Sequence, residues 1–427
     1  MSSSILHAAV IGTLFSTTLC AQFVDDFNAD TSALYTIPQT ADAAVTFAFD
    51  YSTVGIPLAP NTTDGTTLGL KMEANVTSGS ANAVTLHTIV PYSGSYVVKF
   101  DAWLNANGPF PGGGAGSTEF LTMGVGGDGS TVNIGGSGLG GWFGVTGEGG
   151  SSRDYRLYKD GAEQFPASGQ YSAGTGAGAN NASDPYYVQF GGIDVGASPQ
   201  GALFPSQTGV TGAGVFGFAW REVEMRVVAD GGTLSTTSVS WWIDGLQIAT
   251  LDAGVGSSFV TDGFVTIGYM DIFTSLSGDP AMSFGLVDNL RIGTLATATS
   301  YGSGCTGVAG DPLLTAANLP ELGETLQLDA TNLDPSAPIS VMVLGLTEQI
   351  PPFNLQLVGF GAGCELLVSP DVLLSFPAAA GAGTFNFAIP QSNTLLGFEV
   401  FFQCGSLDSV AVGGLAVSNA IATTVGL

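Results

Sequence analysis

Histidine is almost missing from this chain: His7 and His87 are the only two. His7 falls in the leader described below, so the mature chain keeps one imidazole. That excludes a zinc site built on several histidines, and it leaves a serine nucleophile without a ready base. Basic residues are scarce too. Eight Lys and Arg face 35 Asp and Glu, for a formal net charge of −27. Such a surface repels phosphate backbones and anionic bilayers, so nucleic acid is excluded as a partner. From Ile292 to Leu427 there is no Lys, Arg or His at all. Charged residues total only 10%, yet 45% of the chain is hydrophobic, so it has ample material for a core and is not a disordered polyelectrolyte. The 63 glycines follow no three-residue period, which excludes collagen.

Cysteine is also rare, at four residues. Residues 1–21 carry the apolar run Ile5 to Phe15 and end in Leu19-Cys20-Ala21, a pattern that fits a cleaved signal peptide although its start lacks Lys and Arg. A retained first helix is the alternative. Leu19 before Cys20 argues against a lipid anchor. No later stretch is long and apolar enough to span a membrane as a helix. The sequence therefore predicts a secreted or cell-surface protein. Cleavage leaves Cys305, Cys364 and Cys404, so at most one internal bridge forms. Cys305–Cys364 is preferred, though spacing alone does not decide connectivity.

With 427 residues, two domains are expected. Strand signals recur at short intervals. Tyr96-Val97-Val98-Lys99-Phe100-Asp101-Ala102-Trp103 alternates with period two, as a half-solvated strand should. Val45–Phe49, Val84–Val90, Phe120–Val125, Tyr186–Phe190, Val223–Val228, Val239–Ile243, Val265–Tyr269 and Leu286–Ile292 are further candidates. Asp160-Gly161, Asp244-Gly245 and Asp262-Gly263 supply hairpin turns. The glycine-rich stretch 106–151 reads as long mobile loops, or as a rim whose backbone can approach a ligand. Residues 294–302 read as a linker. A second set of short strands follows from Ser303, among them Leu326–Leu328, Ile339–Leu344, Leu355–Val358, Thr384–Ala388 and Phe398–Phe402. The fold class predicted is all-β, a β-sandwich followed by a smaller one.

Two resemblances sharpen this. Phe23-Val24-Asp25-Asp26-Phe27, Trp220–Val227, Val239–Gly245, Ile267-Gly268-Tyr269 and Phe284–Ile292 together resemble a concanavalin A-like lectin/glucanase (LamG-type) jelly roll over residues 22–293. The resemblance implies that the first and last strands are neighbours and that carbohydrate is the ligand class. Residues 303–427 resemble a C-terminal β module of uncharacterised exported bacterial proteins, through Tyr301–Gly307, Gly363-Cys364-Glu365-Leu366, Gly397–Gln403 and Ala416–Asn419. Cys305 and Cys364 both fall inside its motifs, which favours pairing them; Cys404 departs from it.

The fold raises the question of a glycosidase, which needs paired carboxylates. Glu222 and Glu224 share a strand face and are the catalytic candidates, but a third acid is missing and Arg226 follows them. The bland expectation is ion pairing across to neighbouring strands. Asp25, Asp26 and Asp288 would meet if the terminal strands pair, and structural calcium is the cofactor they would hold. Asp271 is a further candidate. Trp142, Tyr155, Tyr158, Tyr186 and Tyr187, with Tyr171, sit in or beside the loop-rich middle, where they would either stack on a sugar or pack under loops. The expected function is non-catalytic binding of a polysaccharide or glycoconjugate. The alternatives are a structural or adhesive protein and a glycoside hydrolase.

Overall fold

The computed structural model describes residues 23–111, 118–148, 151–175, 180–229, 237–256, 258–274, 276 and 278–427. The expected leader, residues 1–21, therefore lies outside the described residues. β-branched and aromatic runs bounded by Gly, Asp and Pro form strands throughout. In the first half these are β1 (Phe23–Asp25), β2 (Tyr35–Thr36), β3 (Ala43–Asp50), β4 (Leu68–Ala74), β5 (Asn82–Thr88), β6 (Tyr96–Asn105), β7 (Glu119–Gly127), β8 (Gly141–Thr146), β9 (Tyr155–Lys159), β10 (Ala162–Gln164), β11 (Arg221–Val228), β12 (Ser238–Ile243), β13 (Leu246–Asp252), β14 (Phe264–Asp271) and β15 (Phe284–Thr294).

They make two antiparallel sheets. One runs β13-β12-β11-β6-β15-β4-β3, with β1 added beside the far half of β15. The other runs β10-β9-β8-β7-β14-β5-β2. The first and last strands are thus neighbours, Phe23 opposite Ile292 and Asp25 opposite Leu290. Between the sheets lies one apolar core. Val98, Phe100, Val223, Met225, Trp241 and Leu290 face Leu86, Leu121, Met123, Phe143, Ile267 and Tyr269 within it.

Period-two patterning explains the inner faces, but the outer faces are not simply wet. All ten residues of β6 are buried, where a half-solvated strand was expected. Its outward residues are covered from outside. Trp103 packs edge-on against Trp220 and Phe218, and the backbone N–H of Asn61 donates to Asp101. The outer face of the second sheet is plugged as well. Trp142 and Tyr158 stack at 3.7 Å beside Phe120 and Met270, under Val132 and Ile134 of the segment 128–140. Asn133 pins that segment, donating from its backbone to Thr85 and from its amide to Thr266. Gly140 closes the turn with φ 81°, and a Cβ there would stand 1.9 Å from the Val125 carbonyl oxygen.

Three expectations need correction. The glycine-rich stretch 106–151 is not only loops: beside the strand expected at Phe120–Val125, which is β7, it holds β8, because Gly124 and Gly141 leave room for the Trp142 and Phe259 side chains. Tyr186–Phe190 is no strand. Asp184 caps a 3₁₀ turn over Pro185–Tyr187 by accepting from the Tyr186 N–H. Leu355–Val358 is a 3₁₀ turn too, capped by Asn354.

The second half holds β16 (Thr297–Tyr301), β17 (Leu313–Ala316), β18 (Thr325–Thr331), β19 (Ile339–Gly345), β20 (Glu348–Asn354), β21 (Glu365–Val368), β22 (Val372–Pro377), β23 (Gly383–Ala388), β24 (Glu399–Leu407) and β25 (Leu415–Thr424). They form sheets β16-β25-β24-β19-β22, β17-β18-β23 and β20-β21. Leu314, Leu328, Met342, Phe376, Phe402 and Cys404 share their core. The stretch 294–302 is not free linker. Thr297–Tyr301 pairs along its whole length with β25, so only Leu295 and Ala296 separate β15 from β16. Cys305 and Cys364 form a disulfide, and Cys404 is a free, buried thiol that burial pushes up to about 12. Among the described residues no helix is long and apolar enough to cross a membrane.

Candidate functional site

Strand β11 points Val223, Met225 and Val227 into the core and Glu222, Glu224 and Arg226 outward. The register sets β6 beside it, Glu224 opposite Lys99 and Glu222 opposite Asp101. β15 lies on the other side of β6, Asp288 opposite Asp101 and Arg291 opposite Lys99. Between those two pairs β15 carries a bulge, with Asn289 at φ 53°. Bulges re-aim side chains. Here the Asn289 amide reaches Asp101 at 2.8 Å and Thr62 at 3.0 Å.

Asn61 crosses above this row. Its amide donates to Asp101 at 2.7 Å and to Glu222 at 3.0 Å. Asp288 accepts from the Asn289 backbone N–H at 2.7 Å and from the Tyr51 hydroxyl at 3.1 Å. Burial raises the Asp101 carboxyl against the pull of those amide donors. Burial, with the Asp101 charge beside it, pushes Asp288 up to about 7. These two acids form a sealed floor.

Above the floor the second half of the chain closes in. Glu321 takes the Lys99 ammonium at 2.8 Å and lies 3.9 Å from Arg226. Arg226 also pairs with Glu224, and Arg291 with Glu222 at 3.4 Å. Between the two halves lies a cavity of about 400 Å³. Its first wall includes Asn61, Thr62, Thr63, Lys99, Glu222 and Arg291; its second includes Glu321, Glu324 and Gln391. This is the candidate site. It offers fixed hydrogen-bond donors and acceptors and little apolar surface.

Of the expected catalytic pair, Glu222 lines the cavity. Glu224 does not; Arg226 and Lys99 hold it. The expected metal ligands are not brought together. Asp25 accepts from the Phe27 N–H, Thr31 and Tyr35, Asp26 caps Asn28, and Asp288 turns to Tyr51. Asp271 accepts from Asn75 and the Phe273 N–H, and burial raises it to about 6. Among the described residues no group of three or more His, Cys, Asp or Glu converges on a metal position.

The expected aromatic platform is core material. Trp142 and Tyr158 are buried against each other, and Tyr155 packs on Trp241 and Tyr187. The hydroxyls of Tyr155 and Tyr171 donate to the Gly214 and Gln164 carbonyls. Only Tyr186 of the group is exposed, and its hydroxyl donates to the Gln247 carbonyl. The loops fold back on the sheets, so these rings fill the space beneath them. His87 is saturated as well: Nε2 meets the Thr131 carbonyl and Nδ1 accepts from the Gly129 N–H, while burial lowers its pKa.

Sequence reasoning missed Asn61, Lys99, Arg291, Glu321, Glu324 and Gln391. Lys99 and Asp101 share a face with Trp103 in one strand, and that mixture of charge and indole was a readable sign of covering. Nothing in the sequence places Glu321 or Gln391 opposite them.

No protein-family model matches the chain, and no curated protein matches it in sequence. Solved structures similar to it include a Bacillus subtilis protein of unknown function with a galectin-like fold, at 10% identity and TM-score 0.33. That match covers 65% of this chain and 96% of the other. An endo-β-1,4-glucuronan lyase from the fungus Trichoderma reesei matches at 13% identity and TM-score 0.30, covering 64% and 95%. A Bacillus licheniformis β-glucanase matches at 9% identity and TM-score 0.28, covering 64% and 98%. The fold itself rests on the strand order above, and these likenesses carry no ligand or reaction to this chain.

Proposed function

We propose that the chain is an exported, non-catalytic glycan-binding protein whose ligand sits in the cavity between its two halves. One observation carries the reading: amide, hydroxyl, carboxylate and guanidinium groups converge on one cavity of about 400 Å³. Planar polar groups of that kind hydrogen-bond to neighbouring sugar hydroxyls as donor and acceptor together. Absence of catalysis is supported by the carboxylates' partners. Glu222 is held by Asn61 and Arg291, and Glu224 by Arg226 and Lys99, so each carboxylate is engaged by donors rather than left as a free base. Export is supported by the Cys305–Cys364 bridge, which suits an oxidising compartment.

The test is a glycan array followed by titration calorimetry. Glu222→Gln and Gln391→Ala should each weaken the selected glycan at unchanged melting temperature, with no cleaved product on chromatography. Failure to bind any glycan class sinks the reading. Hydrolysis lost in Glu222→Gln would make the protein a glycosidase.

A structural or adhesive role is the second reading. It is favoured by Leu357, Val358, Val410 and Val412, exposed at 78%, 58%, 70% and 64% around the disulfide. Sedimentation showing self-association that Leu357→Ser weakens would favour it.

A further inference from the structure

We infer that the cavity selects a carbohydrate carrying a primary ammonium group, that is, an amino sugar whose nitrogen is not acylated. This rests on the glycan-binding reading of that cavity and names its ligand class. Four observations lead to it. First, both cations of the lining are already neutralised from within. Lys99 is held by Glu321 at 2.8 Å and Arg291 by Glu222 at 3.4 Å. Second, the opposite wall has acceptors to spare. Glu324 and Gln391 line it, and the Glu324 side chain is exposed, while Glu321 beside it takes Lys99 and Arg226. Third, that wall cannot be neutralised by its own half of the chain, because no Lys, Arg or His occurs from Ile292 to Leu427. Fourth, the net charge of −27 draws cations toward every cleft and repels acidic sugars.

An ammonium has three donors and no acceptor, which complements a carboxylate and an amide carbonyl on one wall. The other wall offers the Thr63 hydroxyl and the Asn61 amide oxygen to the sugar's own hydroxyls, while the Asn61 amide nitrogen is held by Asp101 and Glu222 and the Thr62 hydroxyl by Asn289. The second half of the chain therefore acts as the selective wall of the site.

The experiment is calorimetry on the full mature chain at pH 6 and low salt with four probes: the tetramers of glucosamine, N-acetylglucosamine and glucose, and spermidine. The glucosamine tetramer should bind about tenfold tighter than its acetylated counterpart, since a charge-assisted contact is exchanged for a neutral one. That preference should shrink in 0.5 M NaCl and vanish in Glu324→Lys, an exposed position where the fold is not at stake. Equal or tighter binding of the N-acetylglucosamine or glucose tetramer overturns the ammonium and leaves glycan binding standing. Spermidine binding as tightly as the glucosamine tetramer overturns the sugar class in favour of bare charge. If no oligosaccharide binds, here or on the array, the glycan reading falls with it.

Discussion

Asp288 makes the sharpest prediction about the first sandwich. Its carboxyl is buried beneath Thr62 and Tyr51, next to Asp101, and its pKa is pushed from 3.8 up to about 7. An acid whose folded pKa lies above its unfolded one favours the folded state while protonated. Its contribution is therefore fully present below about pH 4 and is lost as pH rises toward 7, after which the loss is constant. A shift of about 3 units at about 1.4 kcal/mol per unit sets a ceiling of about 4 kcal/mol. Relaxation and water entry would lower the realised value to about 2 kcal/mol. Asp288→Asn keeps the shape and cannot ionise. The assay is urea unfolding of both proteins at pH 4, 5, 6, 7 and 8, followed by intrinsic tryptophan fluorescence. The two curves should coincide within about 0.5 kcal/mol at pH 4, and the variant should be the more stable by about 2 kcal/mol at pH 8. The difference cancels the general self-repulsion of the acidic surface, which both proteins share. A variant that is less stable at pH 8 would refute the reasoning, because it would mean that ionised Asp288 is stabilised by its amide and hydroxyl donors rather than penalised by burial.

Trp142→Ala should destabilise by about 3–5 kcal/mol in the same unfolding assay, since it opens a cavity under the segment 128–140, while leaving glycan affinity unchanged because the indole is buried in the plug. Cys305→Ala with Cys364→Ala should cost about 4 kcal/mol from the loop of 59 residues that the bridge closes, measured as the drop in unfolding free energy; reduction of the wild type should reproduce it.

Much of the architecture was legible because a strand with one face in a core must repeat every second residue. Val223, Met225 and Val227 against Glu222, Glu224 and Arg226 is such a row, and the structure keeps it. The same rule misled at β6, where Lys99 and Asp101 look like solvent-facing residues and are instead roofed by Asn61 and Glu321. Local periodicity carries no record of what a distant loop lays over a sheet. The aromatics illustrate the converse. Trp142 and Tyr158 lie in glycine-rich or loop-flanked sequence, where ring exposure was a fair expectation; pairing of β8 with β9 sets them side by side and the returning loop buries them. Glu222 was visible from its spacing with Glu224, but its working neighbours come from Asn61, Arg291 and the second half of the chain, separations that no short motif spans. The bridge forms between Cys305 and Cys364, the pair preferred on a resemblance of their motifs, while spacing alone left the connectivity open.

The crossing through Leu295 and Ala296 has a mechanical corollary. A tether of two residues, flanked by hydrogen-bonded strands on both sides and latched where the Leu427 N–H meets the Thr294 carbonyl, leaves no slack for the two bodies to swing apart. For the proposed glycan, so short a tether would leave little closure to be made on entry, and discrimination would rest on fit to the walls as they stand.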